Sequence, residues 1–95
     1  MRDNNMLEII KHRCGISRNI ETYDEDIRMY IEDCQQDLIA SGVPKKLAMS
    51  DTHQGVVTAV TLYVKAYLGN DRTDTEKYLD LYRQKVFRLT LEGGD

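Results

Sequence analysis

The run Gln54-Gly-Val-Val-Thr-Ala-Val-Thr-Leu-Tyr-Val-Lys-Ala-Tyr-Leu68 carries a single charge in fifteen residues. At about 100° per residue, Gln54, Thr58, Thr61 and Lys65 fall within roughly 60° of one another, and every other direction is apolar, tyrosine or glycine. An ordinary surface helix buries one stripe. A helix that is apolar nearly all round is the centre of a core, part of an oligomer interface, or a membrane segment. The membrane option closes on length and on the threonines and tyrosines, since a span takes about 20 predominantly apolar residues. The sequence therefore predicts a central helix over about residues 52–68, capped by Ser50 or Asp51 and stopped at Gly69-Asn70, with the polar stripe left for solvent or a neighbour. Gly55 falls in its first turn, where glycine costs little.

On the C-terminal side, Thr73 and Glu76 form a capping box, so a long helix should run over about residues 74–91 and end at Gly93-Gly94. Tyr78, Leu79, Leu81, Tyr82, Val86 and Leu89 share one broad face of it. Phe87 and Leu91 do not: they stand on the far side among Asp80, Arg83 and Gln84, where a monomer gains nothing from an apolar pair.

On the N-terminal side, Gly42 ends a helix, Val43-Pro44 prevents an immediate restart, and Pro44 to Met49 has room for one short turn. That preceding helix is announced by Thr22 and Glu25, with Asp24 and Asp26 adding the negative charge a first turn favours, and it should run to about Ser41. Ile27, Tyr30, Ile31, Cys34 and Leu38 form its buried stripe, with Tyr23 extending it. Seven acids against one arginine between Glu21 and Asp37 make its outer face strongly negative. Before it, Asn5 and Glu8 cap a short helix that stops at Gly15. Met6, Leu7, Ile9, Ile10 and Cys14 share a face there, and Lys11, His12 and Arg13 place positive charge in the last turn. No segment alternates with period two and no repeat is visible. The expected fold is all-α, four helices in one domain over residues 1–95, in which the other three cover the central helix.

A 95-residue chain should bury only about 60 to 65 % of its unfolded surface, which leaves it open to stabilisation by partners. The net charge of −3 argues against free binding to nucleic acid, because phosphate contact needs a basic surface. Cys14 and Cys34 lie at apolar helical phases without CxxC spacing, and the polar Met1 to Asn5 segment opens no secretory leader, so buried free thiols are expected.

Sites for chemistry are scarce. His12 and His53 have no ligand at i+3 or i+4, so no metal is expected. His12 is read as completing its helix end and His53 as a solvated residue. No histidine base is placed beside either cysteine, acids such as Asp33 and Asp37 lie on a solvated face, and no phosphate-binding loop occurs. Neither an enzyme nor a cofactor is expected.

Arg83, Lys85 and Arg88 are the one basic run. They serve either the dipole of their own helix or an acidic surface on a partner or neighbouring copy. Because the helix before Gly42 is acidic, with Asp33 and Asp37 on it, the chain carries both halves of a head-to-tail contact, for which Phe87 and Leu91 would be the apolar anchor.

The order Asp24-Glu25-Asp26-Ile27, Tyr30-Ile31, Ala40-Ser41-Gly42-Val43, then Ala59-Val60-Thr61-Leu62-Tyr63-Val64-Lys65-Ala66-Tyr67-Leu68-Gly69, then Tyr78 to Tyr82 and Leu89-Thr90-Leu91-Glu92-Gly93 resembles the small head-tail connector proteins of tailed bacteriophages and prophages. These are often labelled DNA-packaging or head completion proteins. The resemblance covers nearly the whole chain, and its strongest piece is Leu62 to Gly69 after the Ser-Gly-Val turn. It implies a structural protein of the virion, made in the bacterial cytoplasm. Such a subunit forms a homo-oligomeric ring under the portal protein, prolongs the DNA channel, and offers the tail or a stopper protein a surface. It implies no catalytic residues. DNA would pass through without sequence-specific binding, and an acidic wall suits that passage. Asp24, Glu25, Asp26, Asp71 and Asp74 are the acids expected to face the channel. The competing reading is a small helical binding module or regulator that docks on a protein or DNA through its C-terminal helix.

Overall fold

A computed structural model describes residues 5–69 and 72–92. Its elements are α1 (Asn5–Arg13), α2 (Asp24–Ala40), α3 (Lys45–Ala48), α4 (Gln54–Leu68) and α5 (Arg72–Glu92), with no strand among the described residues. The four predicted helices are α1, α2, α4 and α5. The fifth, α3, is a single turn after Pro44.

Helix α4 is the core of the molecule. Val56, Val57, Ala59, Val60, Thr61, Val64 and Ala66 are all buried, and α5, α2 and α1 pack around it. The polar stripe is narrower than the sequence predicts. Thr61 is 8 % exposed, and its hydroxyl donates to the carbonyl of Val57 at 2.7 Å. That bond lets a threonine lie inside without an unmet polar atom. Thr58 and Lys65 are half-buried, and only Gln54 is exposed. The Lys65 ammonium sits 5.8 Å from the centre of the Tyr78 ring.

α5 runs antiparallel to α4, tied at both ends. At one end Thr75 Oγ1 donates to the carbonyl of Ala66 at 2.8 Å. At the other, His53 Nε2 lies 3.2 Å from Glu92 Oε1. Between them, Tyr82, Val86 and Leu89 are buried. Gly55 allows the close approach: a Cβ there would stand 3.0 Å from His53 Cε1 and 3.1 Å from Leu89 Cδ2. Leu81, placed on the inner face by the sequence, is instead exposed.

The helix ends follow the glycines but not the predicted caps. Gly15 and Gly42 take positive φ, 75° and 109°, the left-handed turn that glycine enters without a Cβ penalty. At the starts, Asn5 is already helical and its side-chain amide donates to Asp51 Oδ2 at 3.1 Å. Tyr23, not Thr22, occupies the N-cap of α2 and makes no side-chain cap bond. Asp24, Glu25 and Asp26 in the first turn complement the dipole instead. For α4 the cap is His53, whose Nδ1 accepts from the Val56 N–H at 3.2 Å. Ser50 Oγ shapes the approach, accepting from the N–H groups of Thr52 and His53. Thr73 lies one residue inside α5, which is already helical at Arg72.

Helices α1 and α2 are joined by a buried ion pair that the sequence did not announce. Lys11 is 4 % exposed; its ammonium lies 2.8 Å from Asp24 Oδ1 and donates to the carbonyls of Ile20 at 2.6 Å and Arg18 at 3.3 Å. Several hydrogen-bonding partners are what make a buried ammonium tolerable. Leu7 and Ile10 of α1 and Ile27, Ile31, Cys34 and Leu38 of α2 fill the space above α4, while Tyr23 stays exposed. Gln35 is buried as well. The whole is a slab of 40 × 38 × 18 Å.

Candidate functional site

Two surfaces stand out, one on the outer face of α5 and one on a flank of α2. On α5, Phe87 and Leu91 are each 65 % exposed. Four residues apart, they form one apolar ridge. Arg83, Gln84 and Arg88 border it, and together these residues line a shallow groove of about 590 Å³. Arg83 Nη1 donates to Asp80 at 3.1 Å, both side chains being exposed. Arg88 is exposed and has no acidic partner among the described residues, whereas Lys85 is half-buried.

On α2, Asp26, Tyr30, Asp33 and Asp37 recur at spacings of four, three and four, which places them along one flank. Tyr30 meets Tyr67 of α4 at 5.8 Å between ring centres, Tyr67 meets Tyr63 at 4.8 Å, and Tyr63 meets Tyr82 of α5 at 5.2 Å. Tyr67, second in this chain of rings, is 45 % exposed, and Tyr30 at its end is half-buried. Burial, then Tyr67 and Asp33, with smaller contributions from Cys34 and Asp37, pushes the Tyr63 hydroxyl up to about 12. The Asp33 carboxylate thus bears on the tyrosines while staying exposed to solvent.

Asp37 is less available than its position on α2 implies. The Tyr82 hydroxyl donates to its Oδ2 at 2.7 Å, and Cys34 Sγ donates to the Tyr82 oxygen at 3.7 Å. Burial outweighs the lowering effect of the Tyr82 contact, and the Cys34 thiol rises to about 12. Such a sulfur is a packed core group without nucleophilic character. Cys14 is free too, half-buried, with a thiol raised by burial.

The acids proposed for a channel divide. Glu25 and Asp26 at the tip of α2 and Asp74 in α5 are exposed. Asp24 is taken up by Lys11, and Asp71 lies outside the described residues. Asp74 borders a cleft of about 590 Å³ together with Lys65, Tyr78 and Tyr23. His53 is a helix cap, not the solvated residue the sequence suggested. No group of three or more His, Cys, Asp or Glu residues placed to hold a metal ion exists among the described residues. No helix among them is long and apolar enough to cross a membrane.

The sequence pointed to Arg83, Lys85, Phe87, Arg88 and Leu91, and the structure gathers all but Lys85 along one groove. It did not point to the tyrosines. Their signal was present in the i, i+4 spacing of Tyr63 and Tyr67, and in Tyr30 standing between Asp26 and Asp33, but tyrosine at a core phase reads first as packing.

Comparison with curated proteins and with solved structures returned no match. Among protein families, the model described as phage connector protein matches residues 6–95. An all-helical chain with a buried central helix, a long C-terminal helix and nearly full-length agreement with that model belongs to the phage connector protein family.

Proposed function

We propose that this chain is a structural subunit of the phage head-tail junction. Copies assemble into a ring under the portal, the ring prolongs the DNA channel, and its far side receives the tail or a stopper protein. The observation that carries this reading is the exposed Phe87–Leu91 ridge with its arginines, in a member of the connector family whose α2 is acidic. One chain thereby presents two surfaces of opposite sign, the requirement for a head-to-tail contact that closes on itself. A subunit of this size also gains stability from assembly.

In that ring, Glu25, Asp26 and Asp74 are the acids assigned to the channel, where like charge keeps the DNA phosphates from binding. The role is structural, without catalysis, and places the protein in the virion.

Mass in solution tests the reading, by light scattering over a concentration series, alone and with the cognate portal protein, followed by electron microscopy of any assembly. A ring or concentration-dependent growth supports it. A strict monomer under both conditions overturns it and leaves a small docking module. A ring whose bore is uniformly basic overturns the assignment of the channel acids.

A further inference from the structure

The outer face of α5 is an unpartnered helix face, and the chain itself contains a surface that fits it. Phe87 and Leu91 offer apolar edges, and Arg88 beside them is a planar cation with no acidic partner among the described residues. Where the flank of α2 meets α4, the half-buried ring of Tyr30 and the exposed ring of Tyr67 lie 5.8 Å apart and tilted by 30°, with the exposed carboxylate of Asp33 one turn from Tyr30. Guanidinium groups stack on aromatic faces and pair with carboxylates through a planar fork, so an arginine can use both at once. Of the other acids on this flank, Asp37 is held by the Tyr82 hydroxyl, and Asp26 stands one turn beyond Tyr30 on the side away from Asp33.

We propose that the Phe87–Leu91 ridge of one copy seats on the Tyr30–Tyr67 platform of a second copy, with Arg88 stacked on the tyrosines and paired to Asp33. The choice of a second copy as occupant rests on the ring reading. The charge complementarity within the chain supports it independently: the ridge is apolar and basic, the platform aromatic and acidic. Lys65 and Tyr78 lie at a different cleft and take no part. Within the ring reading the contact repeats head to tail, each copy using one ridge and one platform, whereas a reciprocal two-fold pair of the same patches would stop at a dimer.

A charge swap tests the contact. Asp33→Arg and Arg88→Asp are each prepared, and self-association is measured by sedimentation under the conditions in which the wild type assembles. Each variant alone places like charges together, so its self-affinity should fall by at least about thirtyfold. An equimolar mixture restores attraction at both kinds of contact, and should recover assembly. Both side chains are exposed, so thermal unfolding of each variant should match the wild type. Tyr67→Ala should weaken association without a charge change.

Variants that assemble like the wild type overturn this contact and leave the ring reading standing. A mixture that stays monomeric, although each variant melts like the wild type, overturns it as well. An Arg88→Asp variant that assembles normally but fails to bind the portal puts a different protein on the ridge. A wild-type chain that is monomeric alone and with the portal removes the ring reading, and the contact with it.

Discussion

Leu89 and Leu91 are the same residue two positions apart on one helix, and they are 0 % and 65 % exposed. Leu89 points into the slab and touches the space that Gly55 leaves open. Leu91 stands with Phe87 on the opposite side, beside arginines. Two residues are about 200° of helix, enough to move a side chain from the core to the water. Hydrophobicity alone does not distinguish them. What a leucine contributes is set by its phase, and a leucine at the wrong phase for the core is where a partner should be sought.

The comparison can be pressed from both sides. Leu89→Ala should cost about 2–5 kcal/mol of unfolding free energy in urea, through lost burial and the cavity left behind. A loss under about 1 kcal/mol would mean that α5 is not locked onto α4. Gly55→Ala should destabilise by about 1–3 kcal/mol, because the added methyl forces His53 and Leu89 apart. No change there would show that the two helices have slack between them. Tyr82→Phe should cost about 1 kcal/mol, since it removes the hydroxyl joining Cys34 and Asp37 while Asp37 can turn to water. Equilibrium unfolding of a monomeric background reads all three. Smallest of all, Phe87→Ser and Leu91→Ser should each move monomer stability by no more than about 0.5 kcal/mol. A larger loss would place those residues inside the subunit and dissolve the contrast between the two faces.

Much of this molecule was legible before its structure. The phases of Ile27, Ile31, Cys34 and Leu38 and of Val56 to Val64 follow from helical period, and Gly15 and Gly42 marked stops through a conformation that glycine enters most easily. The starts were less legible. Thr22, Ser50, Asp51 and Thr73 all have the chemistry of a cap. Which residue sits at the boundary depends on how the incoming loop is held, and for α4 that is settled by Ser50 turning the chain so that His53 arrives first. Lys11 shows the same limit. In sequence it belongs with His12 and Arg13 as a charge in a last turn. Its burial depends on Asp24 and the Ile20 carbonyl, which a loop brings to it. The candidate surface on α5 was readable because Phe87 and Leu91 broke the period. The tyrosine platform was not, because its rings come from α2 and α4 and meet only after folding.

The imidazole between α4 and α5 has a consequence in proton placement. Accepting the Val56 N–H at Nδ1 leaves that nitrogen without hydrogen, so neutral His53 must carry its proton on Nε2, the atom 3.2 Å from Glu92. The ring is therefore a directional relay, taking a hydrogen bond from the first turn of one helix and giving one to the last turn of the other. A second proton would set two N–H donors against each other and break the first of these while strengthening the second. The two helices of the core pair are thus joined through a tautomer as well as through packing.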